Sequence, residues 1–152
     1  MHRVNAEPES AAPESAAPPV GSALRRLAVP VGVLGSVIAA FAYVGTVDPN
    51  EPGHYPTCPL LKITGVFCPG CGGLRSAHAF IHGDFTTALG ANALAVAGYV
   101  VFAVVWTLWA ARAARGRALR IDLGPAQLYG VGVLIAVFTL VRNLPFGAWL
   151  HP

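Results

Sequence analysis

The sequence predicts an all-α integral membrane protein with three transmembrane helices, an extracytoplasmic loop that carries every cysteine, and a short interfacial helix. Three observations predict it. Of 152 residues, 55% are hydrophobic and 11% charged, and the mean hydropathy is +0.58; soluble domains carry about 25% charged residues. Apolar runs long enough to cross a bilayer recur three times. Basic residues gather beside alternate connections, as membrane topology requires. The net charge of +3 is small, and the ten basic residues, nine of them Arg, are scattered or flank apolar runs, which leaves no nucleic-acid footprint.

The elements follow in chain order. Residues 1–24 form a Pro-, Ala-, Glu- and Ser-rich tail with a tandem "ESAAP", too poor in apolar residues to fold, and are expected to be disordered. Residues 25–152 form the membrane domain. Its first span, about 27–47, is free of charge and contains Pro30, Gly32, Gly35 and Gly45, which membrane helices tolerate when neighbours cover the loosened backbone. Ala40-Phe41-Ala42 resembles a signal-peptide cleavage site, but the long acidic flank and the continuing apolar run fit an uncleaved anchor better. The second span, about 90–111, ends in Trp106 and Trp109, side chains suited to the interface. The third, about 125–141, opens with Pro125 where a first helical turn accepts it, and at ~1.5 Å per residue it reaches about 25 Å.

Arg25 and Arg26 precede the first span, and Arg112, Arg115, Arg117 and Arg120 fill the connection between the second and third; the loop 48–89 has only Lys62 and Arg75. By the positive-inside rule the N-terminus and the Arg loop are cytoplasmic, and the 48–89 loop and the C-terminus are extracytoplasmic.

That outer loop opens with turn-rich "DPNEPGHYPTCP", which needs no regular structure. "LRSAHAFIH" then predicts a short amphipathic helix, with Gly83 as its stop and Asp84 as the N-cap of the next helix. Cys71, Arg75, His78 and His82 recur at i, i+4, i+7 and i+11, one polar stripe along that helix. An exposed face is polar by default, so the stripe alone assigns no ligand.

Three readings of Cys58, Cys68 and Cys71 stand open. "CPGCG" is similar to one knuckle of a zinc ribbon, with Cys58 as a third ligand and His54, His78 or His82 as a fourth. A C-x-x-C pair at a helix start also suits reversible redox chemistry in an oxidising compartment. Or Cys58 is joined to Cys68 or Cys71 as a staple contributing ~2–3 kcal/mol, leaving one cysteine over.

Cys58-Pro59, Thr64-Gly65, "CPGCG" from Cys68 to Gly72, Arg75, Gly83-Asp84, Ala88 and Asn92, with "RNLP" from Arg142 to Pro145, together resemble a bacterial membrane family, domain of unknown function 2752. The resemblance implies the class and no activity. Two positions depart from the family pattern: Leu74 stands where Thr is common, and Asn92-Ala93 replaces Asn-Pro, which removes a proline kink near the start of the second span. Charges at a membrane boundary are costly unless paired. Asp84 is therefore expected to pair with Arg75 or Arg142, forming with Asn92 a polar cluster that ties the cysteine loop to the spans.

These features favour a small, non-enzymatic component of the bacterial cell membrane whose metal-bound (zinc) or disulfide-stapled loop contacts a partner. The partners expected are the lipid bilayer and another membrane protein or a second copy of the chain. The alternative is a membrane thiol-disulfide oxidoreductase using Cys68 and Cys71. No Ser/His/Asp set or paired carboxylates point to hydrolysis, and the uncharged spans mark no transport pathway.

Overall fold

The computed structural model describes residues 20–151; the tail expected to be disordered lies outside the described residues as far as residue 19. From there the chain is already helical, earlier than the expected boundary at 24. Helix α1 runs Val20–Thr46, α2 Pro59–Thr64, α3 Gly73–Ile81, α4 Phe85–Ala114 and α5 Pro125–Arg142, followed by a 3-10 helix Pro145–Leu150. Three of these helices are long and apolar enough to span a membrane: α1 over Leu24–Thr46, α4 over its whole length, and α5. No strand occurs among the described residues.

α3 packs chiefly against α4, and α1 lies against both. Small side chains make the close approach between α3 and α4: Ser76, Ala77 and Ala79 on α3, and Ala88 and Ala91 on α4, are buried. Aromatic edges then link the three helices, with Phe41 of α1 against Tyr99 of α4 at 5.2 Å, and Tyr99 against Phe80 of α3 at 5.3 Å. The Trp106 indole N–H donates to the Pro30 carbonyl at 3.0 Å, a second tie between α1 and α4. α5 stands apart from this cluster. It is exposed along most of its length and reaches α4 through the 3-10 helix and through Arg142 at its own end.

The junction of α3 and α4 follows the expected grammar. Gly83 takes the left-handed conformation (φ +78°) that stops α3, a backbone state glycine adopts without penalty. Asp84 caps α4, its carboxylate accepting from the Thr87 amide at 3.0 Å and from the Thr86 and Thr87 hydroxyls at 2.8 and 2.6 Å.

One expectation is overturned within α4. The absence of proline at position 93 does not straighten the helix: Asn92 breaks it with extended dihedrals (φ −164°, ψ 92°). Its Oδ1 accepts from the Ala95 amide at 2.9 Å and so caps the helix that restarts there. A polar side chain replaces the missing helical bond with a local one.

The Thr87 and Thr86 contacts hold the Asp84 carboxyl at about 2, below its ordinary 3.8. A depressed folded-state pKa contributes stability that is complete above the unfolded value and lost as pH falls through the folded one. The thermal midpoint in detergent should therefore drop between about pH 5 and pH 2, and the part of that drop owed to the cap should vanish in Asp84→Asn, which still accepts a hydrogen bond but does not titrate.

Candidate metal centre

The three cysteines, Cys58 ten residues before Cys68 and Cys71 three after it, come together through two turns. Cys58 is the N-cap of α2, with Pro59 at the first helical position, and the helix ends after six residues at Gly65 (φ +72°). Cys68 to Cys71 form a tight turn closed by the Cys71 amide donating to the Cys68 carbonyl at 3.1 Å, and Gly72 (φ +78°) then opens α3. The sulfurs converge: Cys68 Sγ lies 2.9 Å from Cys71 Sγ and 3.6 Å from Cys58 Sγ, and all three fall within 4.8 Å of one another. None is in a disulfide. Tetrahedral zinc with Zn–S bonds of about 2.3 Å separates its sulfurs by about 3.8 Å; the Cys58–Cys68 separation is near that value and the Cys68–Cys71 pair would have to open to reach it. The Cys68 amide also donates to Cys71 Sγ at 3.2 Å, a contact that stabilises a thiolate.

The thiols differ. Burial, then contact with the other two sulfurs, pushes Cys71 up to about 12, whereas the Leu61 amide and then Cys71 hold Cys58 below the ordinary thiol range. In the metal-free protein Cys71 thus keeps its proton at neutral pH. A divalent ion binds such a cluster by displacing protons.

Beneath the sulfurs the membrane helices grip the loop by its backbone. Arg142 is fully buried. Its Nη1 donates to the Cys68 and Cys71 carbonyls at 3.1 and 3.0 Å, and its Nη2 to those of Leu150 and Ala91 at 3.0 and 3.4 Å. Asn92 Nδ2 donates to Pro69 and Cys71 at 2.9 and 3.0 Å. Asn143 pairs reciprocally with Phe67, accepting its N–H at 2.8 Å and donating to its carbonyl at 2.9 Å. The Gly70 carbonyl accepts the Gly73 amide. Every peptide carbonyl from Phe67 to Cys71 is therefore occupied. The guanidinium also lies 5.1 Å from the Phe138 ring and 5.7 Å from that of Phe67. Gly147 lets the 3-10 turn close over this knot, since a Cβ there would run into the Val141 carbonyl.

Of the residues singled out in the sequence, Asn92 and Arg142 meet at the cysteine turn, by way of carbonyls. Among the described residues no ion pair joins Asp84 to Arg75 or Arg142, because the Asp84 oxygens are taken up by its own cap. Among the described residues no histidine joins the sulfurs. His78 Nδ1 is 2.8 Å from the Val44 carbonyl, His82 Nδ1 is 2.8 Å from the His78 carbonyl, their rings stack at 4.3 Å, and His54 faces Glu51 at 3.8 Å. Asn143, α2 and the 3-10 helix have no counterpart in the sequence reading; the one available signal was "RNLP" after an apolar run. The cysteine cluster borders a cavity of about 470 Å³ whose walls include Cys58, Cys71, Tyr55, Phe67, Glu51 and Arg75.

Residues 58–106 match the model of a family described as "Protein of unknown function (DUF2752)", the family the motif resembles. The match takes in the cysteine loop, α2, α3 and most of α4; α1 and α5 lie outside it. No curated protein and no solved structure matches the chain.

Replacing Arg142 tests the carbonyl cage. Arg142→Lys keeps the charge but lacks the planar fork, so it and Arg142→Met should each lower unfolding free energy in detergent by about 3 kcal/mol or more, with Asn143→Ala costing about 1–2 kcal/mol. Wild-type stability in the Lys variant would show that charge alone suffices.

Proposed function

We propose that this integral membrane protein is a non-enzymatic membrane component that holds a thiophilic metal ion, zinc in the first instance, at a three-cysteine centre on its extracytoplasmic side and presents the surrounding loop to a partner. The observation that carries this reading is the convergence of three sulfurs within 4.8 Å of one another. Because Cys68 and Cys71 sit on a backbone already held by Arg142, Asn92 and Asn143, the ion finds its ligands in place. The site is thus organised for binding as well as for stapling.

Three thiolates neutralise more charge than a divalent ion carries, and they weaken its power to polarise a substrate, so the centre suits ligand binding better than hydrolysis. The guanidinium of Arg142, which lies directly under the turn, offsets the excess negative charge. The exposed Ile63, Leu60, Val66 and Leu74 around the cysteines supply an apolar surface for a partner in or on the membrane. The cytoplasmic Arg loop, by the positive-inside rule, supports the orientation.

A second reading, thiol-disulfide exchange, rests on the 2.9 Å approach of Cys68 to Cys71 with Cys58 at 3.6 Å from Cys68. One set of measurements separates the two: metal content of protein purified in mild detergent, and thiol alkylation with and without chelator and reductant. The metal reading expects about one zinc per chain and alkylation only after chelation. Absence of metal with a readily reduced disulfide would replace it with the redox reading. Labelling by a membrane-impermeant maleimide after chelation in intact cells should reach the cysteines, and failure to label would reverse the orientation.

A further inference from the structure

We propose that the fourth coordination position of the metal opens into the cavity over the cysteines and is filled by a small anionic ligand, with Arg75 as its charge partner. The proposal rests on the metal reading and names the ligand class that the site takes. Three observations carry it. The sulfurs supply three donors, and among the described residues no histidine or carboxylate ligand atom joins them, whereas a tetrahedral ion needs four. The cluster adjoins a cavity of about 470 Å³ that reaches Cys58 and Cys71. Arg75 lies on the wall of that cavity and makes no ion pair among the described residues.

The chemistry on the walls selects the ligand. A side chain from this chain would have closed the position and made the site purely structural; three ligands beside an open cavity leave it exchangeable. Arg75 is the one Lys or Arg among the described residues on the wall, and Glu51, the carboxylate there, lies 3.8 Å from His54. A guanidinium presents a fork suited to carboxylate and other oxyanions. The best-matched ligand is therefore a small anion that donates to the metal at one end and meets the guanidinium at the other, such as a low-molecular-weight thiol bearing a carboxylate. Ligation would be an exchange with no redox change: the incoming thiol would lose its proton to solvent and its sulfur would take the place of a water.

Cobalt(II) makes the position visible, because its d–d absorption reports coordination number and donor type. The detergent-solubilised full chain would be loaded with cobalt and titrated with azide and with mercaptoacetate. Both probes are expected to change the spectrum saturably, with mercaptoacetate bound about tenfold more weakly by Arg75→Met and less affected in Arg75→Lys. Arg75 is exposed, so the variants should fold, and their cobalt spectra before titration check this directly. A spectrum indifferent to both anions would mean that the fourth ligand comes from protein and would overturn the proposal while leaving the metal centre intact. Equal mercaptoacetate binding by Arg75→Met would remove Arg75 from the site. Failure to bind cobalt at all would reject the metal reading itself, and this proposal with it.

Discussion

A buried guanidinium holding main-chain carbonyls is the interaction on which the rest of this structure depends. Arg142 has no carboxylate partner among the described residues; it is compensated by four carbonyl oxygens drawn from the cysteine turn, the broken start of α4 and the C-terminal 3-10 helix. A charge removed from water is costly unless its donors are filled. Here four contacts fill both Nη atoms, and only Nε is left without a partner. Aromatic faces close the remaining sides. With Asn92 and Asn143, this one residue joins three segments into a single platform for the sulfurs.

Carbonyl dipoles do for this platform what a carboxylate could not. A carboxylate would neutralise the guanidinium, whereas carbonyls solvate it and leave its positive field directed at the cysteines. The broken backbone at Asn92 belongs to the same arrangement: interrupting α4 turns its amide toward the Pro69 and Cys71 carbonyls. Irregular backbone at membrane depth is tolerated when protein covers it; Asn92 is buried, and the Ser76 hydroxyl donates to its carbonyl at 3.4 Å.

What could be foreseen from the sequence divides along physical lines. The three spans were legible because apolar length is a local property, and their observed extents differ from the expected ones mainly at the ends. Gly83 and Asp84 were legible because stop and cap residues act within one turn. The role of Arg142 was half legible: its place beside the cysteine loop follows from topology, but its partners are main-chain oxygens, which every residue possesses and no pattern marks. That is also why Asp84 was paired with the wrong kind of group, since side-chain charge is what a sequence displays. The kink at Asn92 persisted without proline because a side-chain cap, not a missing N–H, produces it. The histidine stripe shared a face by spacing, yet His78 and His82 are engaged with carbonyls of α1 and α3.

The order in which the chain is made gives this architecture a further meaning. The contacts from Arg142 to the cysteine turn cross 74 and 71 residues. A nascent chain therefore carries its three thiols through a further 71 residues of synthesis before the residue that seats them exists. Until α5 is in place, the carbonyls of Cys68 and Cys71 lack the donor that immobilises them, and the turn is held only by its own short-range bonds and by Asn92. A chain stopped before its third span therefore leaves its sulfurs on a loop that Arg142 has not fastened. Helix α5 is thus the latch of the cysteine loop, closing on a turn made 71 residues before it.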